Sequence, residues 1–233
     1  LKKDAIPQPF IILAQQRTGS NLLCGMLHNH SNVLMHNELF HAEKPMSYFK
    51  QKEQKKHTKW ASTKLRDKNP IQFLCEIFNP AEDSSLRLMN SNKIKRGGDS
   101  LQNIQAVGFK LFPEHYGKAP FDIILKYPRI KKVILKRKNH LAVFISMHRA
   151  AFSGHYLREN LDNICLGYVA PFVFQHFIDY YDSWYTYYDA ICSGNNVLQV
   201  YYEDLIDPNQ QEKVISSVLK FLDVKSTQIP TPL

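Results

Sequence analysis

The chain has 233 residues, of which 44% are hydrophobic and 22% are charged, and its formal net charge is +9. This composition excludes a disordered chain, and the length suits one α/β domain that spans residues 1–233. The positive charge indicates an anionic partner, such as nucleic acid, a membrane surface, a nucleotide or an acidic glycan, without choosing among them.

No apolar run reaches the roughly 20 residues that a membrane-spanning helix needs, and the start at Leu1 has no signal-peptide pattern. We therefore expect a cytoplasmic protein without a transmembrane segment, with a soluble lumenal domain as the alternative. The cysteines are far apart, without a CxxC pair or zinc-like spacing, so we expect buried thiols and no metal site, with two disulfides as the alternative. They are Cys24, Cys75, Cys165 and Cys192.

The N-terminal part begins with the pattern of a buried strand followed by a helix. "PFIILA" (9–14) is a short apolar run, and the apolar residues of "NLLCGML" (21–27) recur at helical spacing. A second strand is predicted within 31–40. Residues 41–105 are the least regular part, with one helix predicted at 70–78.

The rest of the chain alternates strands and helices. Strands are predicted at 106–112, 131–137 and 196–205, and helices at 121–128, 139–152, 173–191 and 209–222. This alternation predicts a three-layer, P-loop-like α/β fold with a mostly parallel central sheet flanked by helices. Segments 41–105 and 150–175 are expected to be excursions on the acceptor side. The helix at 173–191 carries a stripe expected in the core: Val173, Phe177, Tyr180, Trp184, Tyr187 and Ile191.

The positive charge is concentrated between Lys44 and Lys68. This segment has nine lysine or arginine residues against Glu53 and Asp67. Charge runs are usually solvated helix faces or loops, which is the interpretation we favour. A contact surface for an acidic substrate is the alternative.

The polar turn "QQRTGSN" between the first strand and helix has the features of an anion site. Gly19 allows the backbone to approach an oxygen, Thr18, Ser20 and Asn21 supply side-chain donors, and Arg17 supplies a forked charge. Simple helix capping is the competing interpretation. The turn lacks the lysine of GxxxxGK[ST], which favours an anion with a 5′-phosphate that does not depend on magnesium.

A second segment of the same kind is "VILKRKNHLAVFISMHRA" (133–150). Arg137 ends the strand, and Asn139, Ser146 and Arg149 share one face of the following helix. We predict that Arg137 and Ser146 hold a second phosphate. A basic strand end and a surface serine are the alternative.

These two segments, with "VYYEDL" near the end, resemble the sulfotransferases that use 3′-phosphoadenosine-5′-phosphosulfate (PAPS). The resemblance is closest to the bacterial trehalose-sulfotransferase type. It implies sulfuryl transfer from PAPS to a hydroxyl or amine of a glycan, lipid or small metabolite by in-line displacement. The product is 3′-phosphoadenosine-5′-phosphate (PAP), and no metal is needed. Glu203 and Asp204 are then expected to orient loops behind the cofactor.

The sequence departs from the cytosolic members of that family in two ways. Arg137 and Ser146 are nine residues apart, whereas the cytosolic enzymes typically place them eight apart. Either Lys138 takes the cationic role, or the chain follows the longer spacing of the trehalose type. The glycine-rich GxxGxxK segment has no counterpart either.

The resemblance also implies roles for individual residues. Arg17 and the amides of Gly19 to Asn21 would hold the 5′-phosphosulfate end. Lys110 would reach the bridging or sulfuryl oxygens, unless it merely flanks a strand. Glu38 is the favoured general base because it lies close to where the trehalose type carries a glutamate proposed as the base, and His115 is the second candidate.

Two other function classes stay open from the sequence. One is a P-loop kinase or nucleotidase, and the other is a non-catalytic basic module that binds polyanions through residues 44–68 with a steep salt dependence. For the sulfotransferase we expect a small-molecule, lipid or carbohydrate acceptor and no nucleic acid. Aromatic residues that could stack on the acceptor, or simply pack, are Tyr48, Trp60, Phe152 and Tyr156.

Overall fold

The computed structural model describes residues 6–43, 49–51, 63–79, 86–88, 104–153, 169–192, 194 and 196–225. The strands are β1 (Gln8–Leu13), β2 (Val33–Met35), β3 (Phe49–Gln51), β4 (Leu86–Leu88), β5 (Ala106–Leu111), β6 (Lys131–Lys136) and β7 (Val197–Tyr201). The helices are α1 (Ser20–His28), α2 (Thr63–Lys68), α3 (Pro70–Phe78), α4 (Phe121–Lys126), α5 (His140–Ser153), α6 (Pro171–Ile191), α7 (Tyr202–Ile206) and α8 (Gln211–Phe221). Pro113–Lys118 forms a 3₁₀ segment.

The central sheet of the described chain has five strands in the order β2-β5-β1-β6-β7. Each neighbouring pair is parallel, and β3 and β4 form a separate antiparallel pair. Strands β1, β5 and β6 are covered by helices on both faces, which explains why they are almost continuously apolar. The predicted three-layer fold with a mostly parallel sheet is therefore confirmed.

The two cores lie on opposite faces of this sheet because side chains alternate along a strand. Ile11 and Leu13 of β1 face a cluster formed with α3, α4 and α6. Phe10 and Ile12 face a second cluster formed with α1 and α8. The sequence specifies the start of α3, where Oδ1 of Asn69 accepts the amide of Gln72 at 3.1 Å and proline follows Asn69.

The long helix α6 turns a different face to the core than predicted. Tyr181, Tyr185 and Tyr188 are buried, whereas Tyr180 is 55% and Val173 38% exposed. A hydrogen bond helps to set which face of α6 is buried, because the hydroxyl of Tyr185 donates to a backbone carbonyl of β6 at 2.8 Å. The other members of the predicted stripe are partly buried against the same cluster: Phe177, Trp184, Tyr187 and Ile191.

Two predicted strands are shorter in the structure. Strand β2 occupies only Val33–Met35 of the predicted range 31–40. The segment predicted as a strand over 196–205 changes to helix α7 at Tyr202. Glu203 and Asp204 therefore lie in the first turn of a short helix, where acidic side chains are favourable.

The cysteines agree only partly with the prediction. Cys24 and Cys192 are buried, but Cys75 is exposed, and none of these three forms a disulfide. Burial raises the pKa of Cys24 to about 12 and that of Cys192 to about 11, so both thiols are unreactive. Cys165 lies outside the described residues.

Several acceptor-side predictions fall outside the described part of the chain. They are most of the basic segment between Lys44 and Lys68, with Tyr48, Trp60 and Tyr156. In the part that is described, no helix combines the length and the apolar character needed to cross a bilayer.

Candidate functional site

The carboxyl ends of the parallel strands meet at one edge of the sheet, where α/β proteins bind ligands. Arg17 lies in the loop after β1, and Glu38 in the loop after β2. Lys110 is the penultimate residue of β5, Arg137 follows β6, and Tyr202 follows β7. The fold thus gathers candidate residues from all five strands of the sheet.

The loop after β1 has an unusual backbone. Arg17 has φ 63° and Gly19 has φ 85°, both in the left-handed region. This region is uncommon for a side chain such as arginine, and residues held there cluster at functional sites. Thr18 is fully buried and its hydroxyl donates to the carbonyl of Gln15 at 2.7 Å. The hydroxyl of Thr18 therefore shapes the loop.

The start of α1 is not capped in the ordinary way. Gly19 is the N-cap residue, and no side chain makes a capping hydrogen bond, so the capping interpretation of Thr18 and Ser20 is wrong. A Cβ at Gly19 would lie 2.2 Å from Cδ2 of Tyr202. The Tyr202 ring also lies 4.3 Å from the guanidinium carbon of Arg137. The loop is therefore closely covered by this ring, and a helix N-terminus opens onto it.

The arginine of the loop reaches the second predicted phosphate segment. Nε of Arg17 donates to Oγ of Ser146 at 2.8 Å, and Nη1 of Arg137 donates to the carbonyl oxygen of Arg17 at 3.0 Å. We predicted that Arg137 and Ser146 share one phosphate; in the structure Arg17 lies between them. Lys138 places its Nζ 4.4 Å from the centre of the Tyr201 ring, so of the two candidate cations Arg137 is the one that contacts the loop.

Glu203 fixes the turn between β6 and α5. Its carboxylate accepts the backbone amide of Lys138 at 3.0 and 3.2 Å and that of Asn139 at 3.1 Å. Oδ1 of Asn139 accepts the amide of Ala142 at 2.9 Å. The predicted structural role of Glu203 is confirmed, and the Asn139 side chain caps α5.

Lys110 connects the first turn of α1 to Glu38. Its Nζ lies 3.0 Å from Oε1 of Glu38 and donates a short hydrogen bond to Oδ1 of Asn21. The Lys110 side chain is only 3% exposed, and its Nζ lies 4.9 Å from the centre of the Phe112 ring. Burying a cationic side chain is costly unless it is paired in this way. Lys110 thus does more than flank a strand.

His115 lies on the other side of the Glu38 carboxylate. Its Nδ1 accepts the backbone amide of Phe112 at 3.2 Å, and its Nε2 lies 3.7 Å from Oε2 of Glu38. Burial lowers the pKa of His115 to about 4, although the charge of Glu38 opposes this. The imidazole is therefore neutral near pH 7, with its hydrogen on the nitrogen that faces Glu38. This leaves it no lone pair with which to accept a substrate proton.

Two residues near this site were missed by the sequence analysis. Tyr202 stands next to Glu203 in "VYYEDL", and that adjacency was the available signal. Arg66 is buried beside the Glu38 loop, but nothing in the sequence separates it from the other cations of its basic segment. Among the described residues, no group of three or more His, Cys, Asp or Glu could hold a metal ion.

A comparison with models of protein families identifies one family. The model of the sulfotransferase family matches residues 9–228. The chain is similar to the sulfotransferase domain from the curacin biosynthetic pathway, with 19% identity over 95% of this chain and 76% of that one and a TM-score of 0.49. It is also similar to mouse sulfotransferase SULT7A1 complexed with PAP, with 12% identity over 97% of this chain and 62% of that one and a TM-score of 0.47. A third similar structure is the sulfotransferase from Alicyclobacillus acidocaldarius, with 10% identity over 97% of this chain and 85% of that one and a TM-score of 0.48.

No curated protein sequence matches the chain. The family model nevertheless covers nearly its whole length, from residue 9 to residue 228. The chain therefore belongs to the sulfotransferase family.

Proposed function

We propose that this protein transfers the sulfuryl group of PAPS to a hydroxyl, or an amine, of a small metabolite, lipid or carbohydrate. The observation that carries the proposal is the line of contacts from Asn21, in the first turn of α1, through Lys110 to Glu38. It joins an anion site to a carboxylate through a buried cation. Sulfuryl transfer needs these three parts, because it depends on positioning and on charge stabilisation.

The residues around the loop fit the 5′-phosphosulfate end of PAPS. The backbone has positive φ angles at Arg17 and Gly19, and the Tyr202 ring fills the space that a Cβ at position 19 would need. Arg17 and Arg137 bring two guanidinium groups to the same loop, and such groups match anionic oxygens. PAPS supplies the activated sulfuryl group and a good leaving group when bound.

In the transfer step, the acceptor oxygen forms a bond to sulfur while the bond from sulfur to the bridging oxygen of the 5′-phosphate breaks. Glu38 takes the proton that the acceptor loses. Lys110 stabilises negative charge between the loop and the base. The His115 ring lies beside the other carboxylate oxygen, with Nε2 3.7 Å from Oε2 of Glu38, and so limits where the carboxylate can lie. The resemblance to the trehalose-sulfotransferase type and a cytoplasmic location remain part of the proposal.

The test is calorimetric titration of the protein with PAP in the absence of magnesium. ATP with magnesium and a short DNA duplex serve as controls, with Arg17→Ala as the paired variant. Tight binding of PAP that Arg17→Ala weakens by about tenfold or more would support the proposal, and radiolabelled PAPS with panels of sugars, lipids and phenols would then find the acceptor. Equal binding of ATP with magnesium would favour a P-loop kinase. Salt-sensitive binding of DNA without PAP binding would favour a basic polyanion-binding module.

A further inference from the structure

Arg66 is a buried cation in the segment that the sequence presents as a solvated basic run. It lies on α2, and its side chain is only 2% exposed. Its Nε donates to Oδ1 of Asp67 at 2.7 Å, and its Nη1 donates to the carbonyls of His41 at 2.6 Å and Leu39 at 3.3 Å. A guanidinium group is costly to bury unless its donors are satisfied, and here two of the acceptors are backbone atoms of one loop.

That loop carries the proposed general base. Leu39 follows Glu38 directly, and the amide of His41 donates to the carbonyl of Glu38 at 3.3 Å. The ring of Phe40, between them, is fully buried and lies 6.0 Å from the ring of Phe73 and 4.8 Å from that of Phe121. The loop is therefore anchored to the core through Phe40 and to α2 through Arg66.

The charge of Arg66 also affects the pKa of a residue beside Glu38. Besides burial, which is the main cause, Arg66 is one of the cations that lower the pKa of His115, the residue whose Nε2 faces Glu38. Arg66 and Lys110 are both buried, and they approach the Glu38 loop from different elements, α2 and β5. One contacts the carboxylate, and the other contacts the backbone that carries it.

We infer that Arg66 is a positioning residue for sulfuryl transfer: by holding the carbonyls of Leu39 and His41, it fixes the Glu38 carboxylate against Lys110. This inference rests on the proposed function. Arg66 belongs to the region 41–105, where acceptor selection is expected, so its contacts also connect that region directly to the loop that carries the base. Placement of a catalytic group matters because small displacements cost large factors in rate.

The experiment compares Arg66→Met and Arg66→Lys with the wild-type protein. Lys64→Met is the matched control, because Lys64 is exposed on the same helix and loses the same charge. Calorimetry with PAP gives the number of binding sites and the Kd of each variant. Release of labelled sulfate from PAPS into water, with water in place of the acceptor, gives kcat per PAP-binding site and KM for PAPS.

We expect Arg66→Met to lower kcat at least tenfold, with the Kd for PAP and the KM for PAPS within about twofold of wild type. Arg66→Lys keeps the positive charge but loses the planar guanidinium group, so its kcat should lie between those of wild type and Arg66→Met. The kcat of Lys64→Met should match that of wild type. A general loss of structure would instead lower the number of PAP-binding sites and leave kcat per site unchanged. If Arg66→Met yields no PAP-binding protein, Arg66→Lys serves as the test, through the same comparison of kcat per site with the Kd for PAP and the KM for PAPS.

An unchanged kcat per site in the Arg66 variants that bind PAP would overturn the positioning role alone. So would an equal loss in Lys64→Met. A wild-type protein that neither binds PAP nor releases sulfate from PAPS would overturn the proposed function, and the positioning role with it. The wild-type measurement therefore separates the two failures.

Discussion

Nε of Arg17 donates a 2.8 Å hydrogen bond to Oγ of Ser146, although the two residues are 129 positions apart in the chain. The contact joins the loop after β1 to the helix after β6. Because β1 and β6 are neighbours in the sheet, their carboxyl-end loops are adjacent. The two segments that the sequence predicts to bind anions are thus adjacent in the fold.

Removing the Arg17 side chain should weaken PAP binding more than removing the Ser146 hydroxyl. Arg17→Ala loses a charged donor that contributes about 1.5–3 kcal/mol, whereas Ser146→Ala loses a hydrogen bond of about 1 kcal/mol. Calorimetry with PAP measures both. Ser183→Ala, which removes an exposed hydroxyl from α6, is the control and should bind as wild type. Equal Kd values for Arg17→Ala and Ser183→Ala would contradict the assignment of the loop.

Glu38→Gln should lower kcat for sulfuryl transfer from labelled PAPS by about 10²–10⁴, since a neutral amide cannot take the acceptor proton. His115→Asn should cost about tenfold, because it removes only the group that orients Glu38. The Kd for PAP should stay near the wild-type value in both. A larger loss in His115→Asn than in Glu38→Gln would instead make the histidine the base.

Gly19→Ala should destabilise the protein by about 2 kcal/mol or more, because a side chain at φ 85° is strained and its Cβ would meet the Tyr202 ring at 2.2 Å. PAP binding should weaken as well. Gly25→Ala is the matched control: nothing lies within 4 Å of its Cβ, and alanine favours the helix by about 1 kcal/mol. Thermal unfolding should therefore show opposite shifts of Tm, and a lower Tm in both variants would refute the local explanation.

The buried His36 should make the protein less stable in acid. Burial lowers its pKa to about 3, whereas in the unfolded chain the value is about 6.5. The unfolded state therefore binds a proton that the native state does not, so the free energy of unfolding falls as the pH drops from 6.5 toward 3. At full extent the loss is about 5 kcal/mol.

Urea unfolding at several pH values checks this. His36→Gln should lose stability less steeply than wild type between pH 6.5 and 4, with equal slopes above pH 7. Parallel curves for the two proteins over the whole range would show that His36 does not titrate in this way.

Local patterns in the sequence were sufficient to predict a mostly parallel sheet and most of its flanking helices. Continuous apolar runs predict β1, β5 and β6, because strands covered on both faces need apolar side chains throughout. The turn at Arg17 and Gly19 predicts an anion site because it places a glycine and polar donors between a strand and a helix. These features depend on residues that are close in sequence.

Only the tertiary structure decided how distant residues pair. It placed Arg17 rather than Arg137 on Ser146, rotated the buried face of α6 to Tyr181, Tyr185 and Tyr188, and buried Arg66. Each outcome depends on which carbonyl, hydroxyl or carboxylate lies opposite a side chain once the strands have aligned. The hydrophobic pattern sets which segments are buried, but it is non-directional; the partners of buried polar groups are set by hydrogen-bond geometry between elements that the sequence keeps far apart.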